Sequence, residues 1–423
     1  MRVRKQHSVT VTPFRRALHL LARPARGHKG RGGIVIQSYR GYGSEEKVFL
    51  MGRVFRQTGG GAGLRRGTVT RDIIDFIRRA LRWGVGHAVL EAQFRGDVQR
   101  VRADRNGYFR VRMMPAYRAA SSRLWHSMDL RLIWPDFPDS TTKGAVFMPP
   151  RTARFVVISD IDDTVIFTGV ANKVMMMWRM LFQKAPKRIA FPGVAAFYRA
   201  LHRGASGEEM NPLLYVSRGP WAIYEVLAEF FNLHRIPIGP ILFLREWGLT
   251  LQQPFPPSSK DHKLNLIRGM LDIYKELPFI LIGDSGQLDP EIYARIVREH
   301  PGRVMAIYIR NVSRDPNRRK AIEGLARRVI EAGTSLVLAS DTFSMASHAA
   351  DHGIIGFGDL PEILGERVEQ EGEAMLQPTH QIKPSRPGET LEAIEKDELE
   401  ETLLQETAGN TPPNVVVETK RDY

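Results

Sequence analysis

Residues 155–168 read FVVISDIDDTVIFT, and the fold turns on how this stretch is read. Phe155, Val156, Val157 and Ile158 make an apolar, largely β-branched run of the kind buried on both faces of a parallel sheet. The run leads straight into acids, Asp160 and Asp162, and then Thr164. Open α/β sheets place ligands beyond the carboxyl ends of their strands. Two carboxylates two residues apart in that position reach one site if the chain unwinds there, one as nucleophile and one as proton carrier. Taken alone, Asp-x-Asp-x-Thr also suits a turn or a helix cap, so the flanking sequence has to decide. Asp163 is read as a loop residue.

Downstream of Pro149-Pro150, apolar runs at 155–158, 213–216, 241–244, 279–282, 304–309 and 335–339 alternate with helical patterns. Such alternation predicts a parallel sheet covered on both faces, over residues 150–360. Upstream, residues 34–149 carry period-two runs at 34–37, 47–56, 88–95, 99–102, 108–113, 124–134 and 145–148, with hairpin residues Arg105-Asn106-Gly107. They predict a small β-sandwich-like domain, interrupted by one amphipathic helix at 72–83. The glycine run at 59–63 lacks the Gly-Lys-Ser/Thr of a phosphate loop and is read as a connection.

Residues 1–33 carry basic charges and no acidic ones. They are expected to be disordered or to lie on a membrane surface, with Phe14, Leu18 and Leu21 on one face of a short helix. Residues 361–423 are rich in Glu, Pro and Thr and are expected to form an acidic disordered tail. The 423-residue chain has no cysteine, which excludes disulfides and thiolate metal sites. It has no run of about 18 apolar residues to span a bilayer. The expectation is a cytoplasmic protein, and its net charge of +15 favours polyanions. Nucleic acid is not the expected partner.

Three further elements fall just past predicted strands or at a helix start. Ser217, in YVSRGPW, offers a hydroxyl to a phosphoryl oxygen. Lys263, in KDHK, offers an ammonium to the same group. Asp284 and Asp289, in GDSGQLD, add carboxylates, and acidic oxygens from two strands are what a hard, octahedral cation such as Mg2+ takes. Singly, Ser217 reads as a cap, Lys263 as a solvated charge and Asp289 as the N-cap ahead of Pro290; in this order together they do not.

In order and spacing the set resembles the haloacid dehalogenase superfamily of phosphatases. The wording YVSRGPW, PIGPILFLREWG, DHKLNLIRGML and GDSGQLDPEIY is similar to the App1-type phosphatidate phosphatase catalytic domain, related more distantly to lipins. The resemblance is dense over 154–313 and weak before it; Arg218 and Gly219 stand where the family often has serines. It implies that Asp160 attacks phosphorus to form an aspartyl-phosphate and that Asp162 moves the proton. It also implies that Ser217 and Lys263 clamp the phosphoryl oxygens, with Thr164 positioning Asp162. Mg2+ would be held by Asp160, Asp284 and a backbone carbonyl near Asp162, with Asp289 in support. About fifty residues separate Thr164 from Ser217, too few for a large cap. An open site suits an anionic phospholipid presented by a membrane, and hence a peripheral membrane enzyme.

Two other functions fit parts of the sequence. One keeps the chemistry but acts on a phosphoprotein or a soluble phosphomonoester. The other is a non-catalytic adaptor for anionic surfaces, which the joint presence of Asp160, Asp162, Ser217, Lys263 and Asp284 argues against. His348 and His352 stand one helical turn apart, as in a zinc pair, but no third ligand is evident; they are expected on the outer face of a helix.

Overall fold

The computed structural model describes residues 33–56, 84–116, 123–133, 140–161, 191–219, 221–243, 260–375 and 415–417. These divide into two compact units. The first takes the described residues up to Ile161 and those of Glu208–Phe279; the second takes those of Lys187–Gly207 and from Ile280 onward. The described α-helices are α1 (Val194–Arg203), α2 (Tyr224–Leu233), α3 (Lys260–Ile273), α4 (Asp289–Glu299), α5 (Pro316–Glu331), α6 (Thr342–Asp351) and α7 (Leu360–Met375).

The first unit opens with eight strands: β1 (Ile34–Ser38), β2 (Gly41–Gly43), β3 (Val48–Arg56), β4 (Val89–Phe94), β5 (Asp97–Arg102), β6 (Tyr108–Met113), β7 (Trp125–Ile133) and β8 (Thr141–Phe147). Hydrogen bonds join them into a single sheet in the order β1-β3-β2-β8-β7-β4-β5, with β6 on β3. The expected small β-rich domain is present as strands laddered into one sheet, in which β3, nine residues long, pairs with β1, β2 and β6. Alternate residues of the strands supply its core, among them Leu50, Leu90, Val111, Leu130 and Val146.

The β4–β5 hairpin turns through Arg95 and Gly96, both at positive φ (44° and 80°), the combination a two-residue type I′ turn needs. The expected turn at 105–107 is also present. Asp104 Oδ1 accepts from Asn106 N at 2.6 Å and Tyr108 N at 3.2 Å. It hands the chain to β6, however, whose ladder runs with β3.

Three parallel strands complete the first unit: β9 (Val156–Asp160), β10 (Leu213–Ser217) and β11 (Ile241–Phe243), in the order β11-β10-β9. All their residues are buried, as the unbroken apolar runs require. On α3, Leu264, Ile267 and Leu271 form the buried stripe at helical spacing, and Tyr274 just past its end is buried as well. Aromatic packing and hydrogen bonds join β1 and its following turn to α2. Tyr39 stacks on Trp221 (4.4 Å), Gln37 Nε2 donates to Glu225 Oε1 (2.7 Å), and Arg40 N donates to the Tyr224 hydroxyl (3.0 Å).

The second unit contains β12 (Phe279–Asp284) from Ile280 onward, β13 (Val304–Arg310), β14 (Ser335–Ala339) and β15 (Val415–Val417), adjacent in that order. β13 and β14 run parallel; β15 joins antiparallel. Asp315 and Asp341 cap α5 and α6 by accepting from Asn317 N and Ser344 N, both at 2.9 Å.

Two expectations are corrected here. Residues 361–375, read as the start of a disordered tail, belong to α7. The helix is held because its acids are paired: Arg199 of α1 reaches Glu362 (2.8 Å) and Glu366 (2.6 Å), Arg203 reaches Glu362 (2.9 Å), and Ile363 is buried. His348 lies inside the unit, not on an outer face. Its Nδ1 is 3.1 Å from the Tyr308 hydroxyl, and its ring stacks on His352 at 3.9 Å. Burial, reinforced by His352, pushes the His348 pKa down to about 4.

The expected helices at 13–22 and 72–83, the glycine run at 59–63, Asp162, Asp163 and Thr164 lie outside the described residues, as does most of the chain after Met375. Among the described residues no helix is long and apolar enough to cross a membrane.

Candidate active site

In the first unit the ends of β9 and β10 form a common ledge. Val216 pairs with Asp160, and Ile161 N donates to Val216 O at 2.8 Å, so the strands finish level and Ser217 comes one residue past the pair. Asp160 is fully buried, and Ser217 and Lys263 nearly so. Lys263 sits in the first turn of α3, and its Nζ donates to Asp160 Oδ1 at 2.8 Å. A buried carboxylate and ammonium at that distance hold one another in a fixed orientation. Ser217 Oγ accepts from Gly219 N at 3.0 Å. A Cβ on Gly219 would stand 3.2 Å from that oxygen, so the glycine keeps the hydroxyl approachable. The structure thus brings together three of the sequence-predicted residues, Asp160, Ser217 and Lys263, within one unit.

In the second unit β12 ends in Asp284 and α4 begins at Asp289, both buried. Asp284 Oδ1 accepts from Gly286 N (2.8 Å) and Gln287 N (2.9 Å), and Asp289 Oδ2 accepts from Asp284 N (3.3 Å). Gly283 makes this approach possible, because a Cβ there would run into the Asp289 carboxylate. Two buried carboxylates, braced by backbone N–H groups at a strand end, have the donor chemistry of a hard divalent cation. The residues present therefore fit a magnesium ion.

Three residues with a part in this loop were not singled out in the sequence. Ser285 Oγ accepts from Val312 N (2.9 Å) and Ser313 N (3.0 Å), tying the loop after β12 to the one after β13. Arg318 donates through Nε to Ser285 O at 2.7 Å and pairs with Glu291. Burial pushes Glu291 up, but the Arg318 hydrogen bonds outweigh it and hold the carboxyl below its usual range. A signal existed in the sequence: an arginine in the first turn of a helix opposes the helix dipole unless an acid receives it. Arg310, at the end of β13, is buried; its Nη2 donates to Thr342 Oγ1 at 2.7 Å, and burial lowers its pKa to about 10.

The fold and these residues define an α/β protein whose strand ends carry buried carboxylates, one of them clamped by a lysine. Residues 155–311 match the family described as phosphatidate phosphatase APP1, catalytic domain. Over that segment the match bears out the resemblance read from the motifs. The chain is 32% identical over 173 residues to phosphatidate phosphatase APP1 of Saccharomyces cerevisiae, covering 41% of this chain and 28% of that protein. It is 26% identical over 213 residues to an uncharacterized protein of Schizosaccharomyces pombe, covering 49% of this chain and 34% of that protein. The matches thus span about a third of those relatives' lengths. Among solved structures, a carbohydrate acetylesterase from Xanthomonas citri superposes with a TM-score of 0.23 at 11% identity, over 69% of this chain and 72% of that one. At that score nothing about fold or function carries over.

Proposed function

We propose that this protein is a magnesium-dependent phosphatidate phosphatase with a haloacid-dehalogenase-like catalytic domain, releasing phosphate and diacylglycerol at a membrane surface. The observation that carries the reading is the buried Lys263–Asp160 pair at the end of β9, inside the segment that matches the phosphatidate phosphatase catalytic domain.

Asp160 attacks phosphorus, the bond from phosphorus to the glycerol oxygen breaks, and an aspartyl-phosphate forms. Asp162 gives its proton to the departing alkoxide, releasing diacylglycerol. It then takes a proton from the water that attacks the aspartyl-phosphate, and inorganic phosphate leaves with Asp160 restored. Ser217 and Lys263 hold the non-bridging oxygens, so Lys263 exchanges part of its contact with Asp160 for the substrate. Thr164 positions Asp162. Asp160, Asp284 and a backbone carbonyl near Asp162 would hold the magnesium ion, with Asp289 bracing Asp284. When bound, the ion neutralises negative charge on the phosphoryl group as it is transferred.

Residues 1–33, wholly basic in their charge, would supply attraction to anionic lipid. The test is phosphate release from phosphatidate in mixed micelles and from a soluble aryl phosphate, with and without magnesium. Strong magnesium-dependent preference for the lipid is expected. Activity confined to the soluble ester would replace the lipid reading with a phosphomonoesterase, and folded protein inactive on both would favour an adaptor.

A further inference from the structure

The third residue of α5 is Arg318, and the first turn of a helix is the positive end of its dipole, where a cation is disfavoured. Asp315 caps the helix by accepting from Asn317 N, so the turn itself does not depend on Arg318. The guanidinium instead forms a fork with Glu291, the third residue of α4, through Nη1 to Oε1 and Nη2 to Oε2. Glu291 holds Arg318 above its usual pKa, with smaller help from Asp284 and Asp289. That carboxylate accounts for the charge of Arg318. It does not account for two further hydrogen bonds that the side chain makes.

Both go to the loop after β12: Nε donates to Ser285 O at 2.7 Å, and Nη2 donates to Gln287 O. The peptide joining Ser285 to Gly286 is planar and trans, so its C=O and N–H point in opposite directions. Its carbonyl is held by Arg318, and its N–H donates to Asp284 Oδ1 at 2.8 Å. Gln287 is held in the same sense, its O accepting from Arg318 and its N donating to the same Asp284 oxygen at 2.9 Å. Arg318 therefore engages one side of the loop and Asp284 the other, with the backbone of residues 285–287 as the link. Through Glu291 the same guanidinium also grips the first turn of α4, where Asp289 stands two residues earlier. All of these residues belong to the second unit.

We propose that Arg318 is a positioning residue for the divalent cation: it holds the 285 and 287 carbonyls, and so aims the two N–H groups that orient the Asp284 carboxylate. The proposal rests on the reading of Asp284 as a magnesium ligand. Magnesium demands near-ideal octahedral geometry, so a carboxylate left free to rotate binds it less well. Groups that orient a ligand typically carry about 10–100-fold of the metal affinity. The sign of the effect separates orientation from charge. Through space the Arg318 cation opposes another cation at Asp284, so its charge alone would weaken metal binding, and removing it would tighten binding. Orientation predicts the reverse. A lysine keeps the charge, but its single ammonium on a flexible stem does not reproduce a planar fork that spans Ser285 O, Gln287 O and Glu291.

The test is Mn2+ binding to full-length protein without substrate, read from the electron paramagnetic resonance signal of free Mn2+, an ion that takes the same oxygen ligands. Arg318→Met is expected to raise the Mn2+ Kd at least about tenfold, with the number of ions bound per chain unchanged. Arg318→Lys is expected to stay within about threefold of Arg318→Met. Arg319→Met is the control, because Arg319 pairs with Glu323 along α5 at 3.1 Å; it is expected to keep the parent Kd. In turnover, the Mg2+ concentration for half-maximal activity should rise with the Mn2+ Kd in Arg318→Met, while kcat and KM for phosphatidate at saturating Mg2+ hold.

An unchanged or lower Kd in Arg318→Met overturns the proposal, and so does a parent chain that binds no Mn2+. Fewer binding sites at the parent's Kd also overturns it, because that is a loss of folded protein and not of orientation. Recovery of the parent Kd by Arg318→Lys, or an equal weakening in Arg319→Met, assigns the effect to charge and has the same consequence. If Arg318→Met yields no folded protein, the rise in Kd is required of Arg318→Lys alone. The Mn2+ readout needs no turnover, so a chain that shows these shifts without hydrolysing phosphatidate would sink the phosphatase reading and leave the positioning role standing.

Discussion

Replacing Lys263 by methionine, which keeps most of the side chain's length and removes its charge, isolates what the ammonium does for Asp160. The two atoms are 2.8 Å apart, with side-chain exposures of 5% and 0%. At an effective dielectric constant of about 20 their attraction is about 6 kcal/mol. Removing each ion from water costs several kcal/mol, so the intact pair contributes little net stability. Removing one partner is different, because the other stays buried without it. Lys263→Met should destabilise the first unit by about 3–5 kcal/mol, and so should Asp160→Asn. The double variant should be no less stable than either single, since no charge is stranded. Urea unfolding followed by tryptophan fluorescence gives the three midpoints. A Lys263→Met protein within about 1 kcal/mol of the parent, or a double variant whose loss equals the sum of the singles, would refute the reasoning.

Gly283→Ala places a methyl against the Asp289 carboxylate, so the magnesium concentration for half-maximal activity should rise about 10–100-fold, as a magnesium titration would show. For His348 the folded-state pKa of about 4 lies below the unfolded value of about 6.5, so the buried ring favours folding only while neutral. Its stabilisation is complete above about pH 6.5 and is lost as pH falls towards 4, by up to about 3 kcal/mol; urea midpoints should lose that dependence in His348→Gln. The groups facing this ring are the Tyr308 hydroxyl and His352. Arg199→Ala should loosen α7 by about 1 kcal/mol, the pairs being partly exposed, and speed proteolysis within Leu360–Met375; an unchanged cleavage rate would count against the pairing.

The parallel strands were legible because burial on both faces leaves unbroken apolar runs, and β9, β10 and β12 end on Asp160, Ser217 and Asp284. The long strands of the first sheet were legible from alternation. Strand β2 was not: it is Gly-Tyr-Gly, and its glycines serve close approach, since a Cβ on Gly43 would come within 2.7 Å of the Lys47 carbonyl oxygen. The first half of β8, Thr-Thr-Lys-Gly, has no apolar period to read. Helix α7 looked like a solvated acidic tail because the arginines that pair its glutamates stand more than 150 residues away. His348 packs against Tyr308, 40 residues away in sequence. The motifs picked out Asp160, Ser217, Lys263, Asp284 and Asp289, but the pairing of β3 with β6 is something that spacing along one chain does not encode.

The most direct test of the central claim is to quench the enzyme during turnover of phosphatidate labelled in its phosphate and to find where the label sits. The account predicts a hydroxylamine-sensitive acyl phosphate on the peptide carrying Asp160, absent in Asp160→Asn, which should also release no phosphate. Label on another residue, or continued turnover by Asp160→Asn, would contradict it.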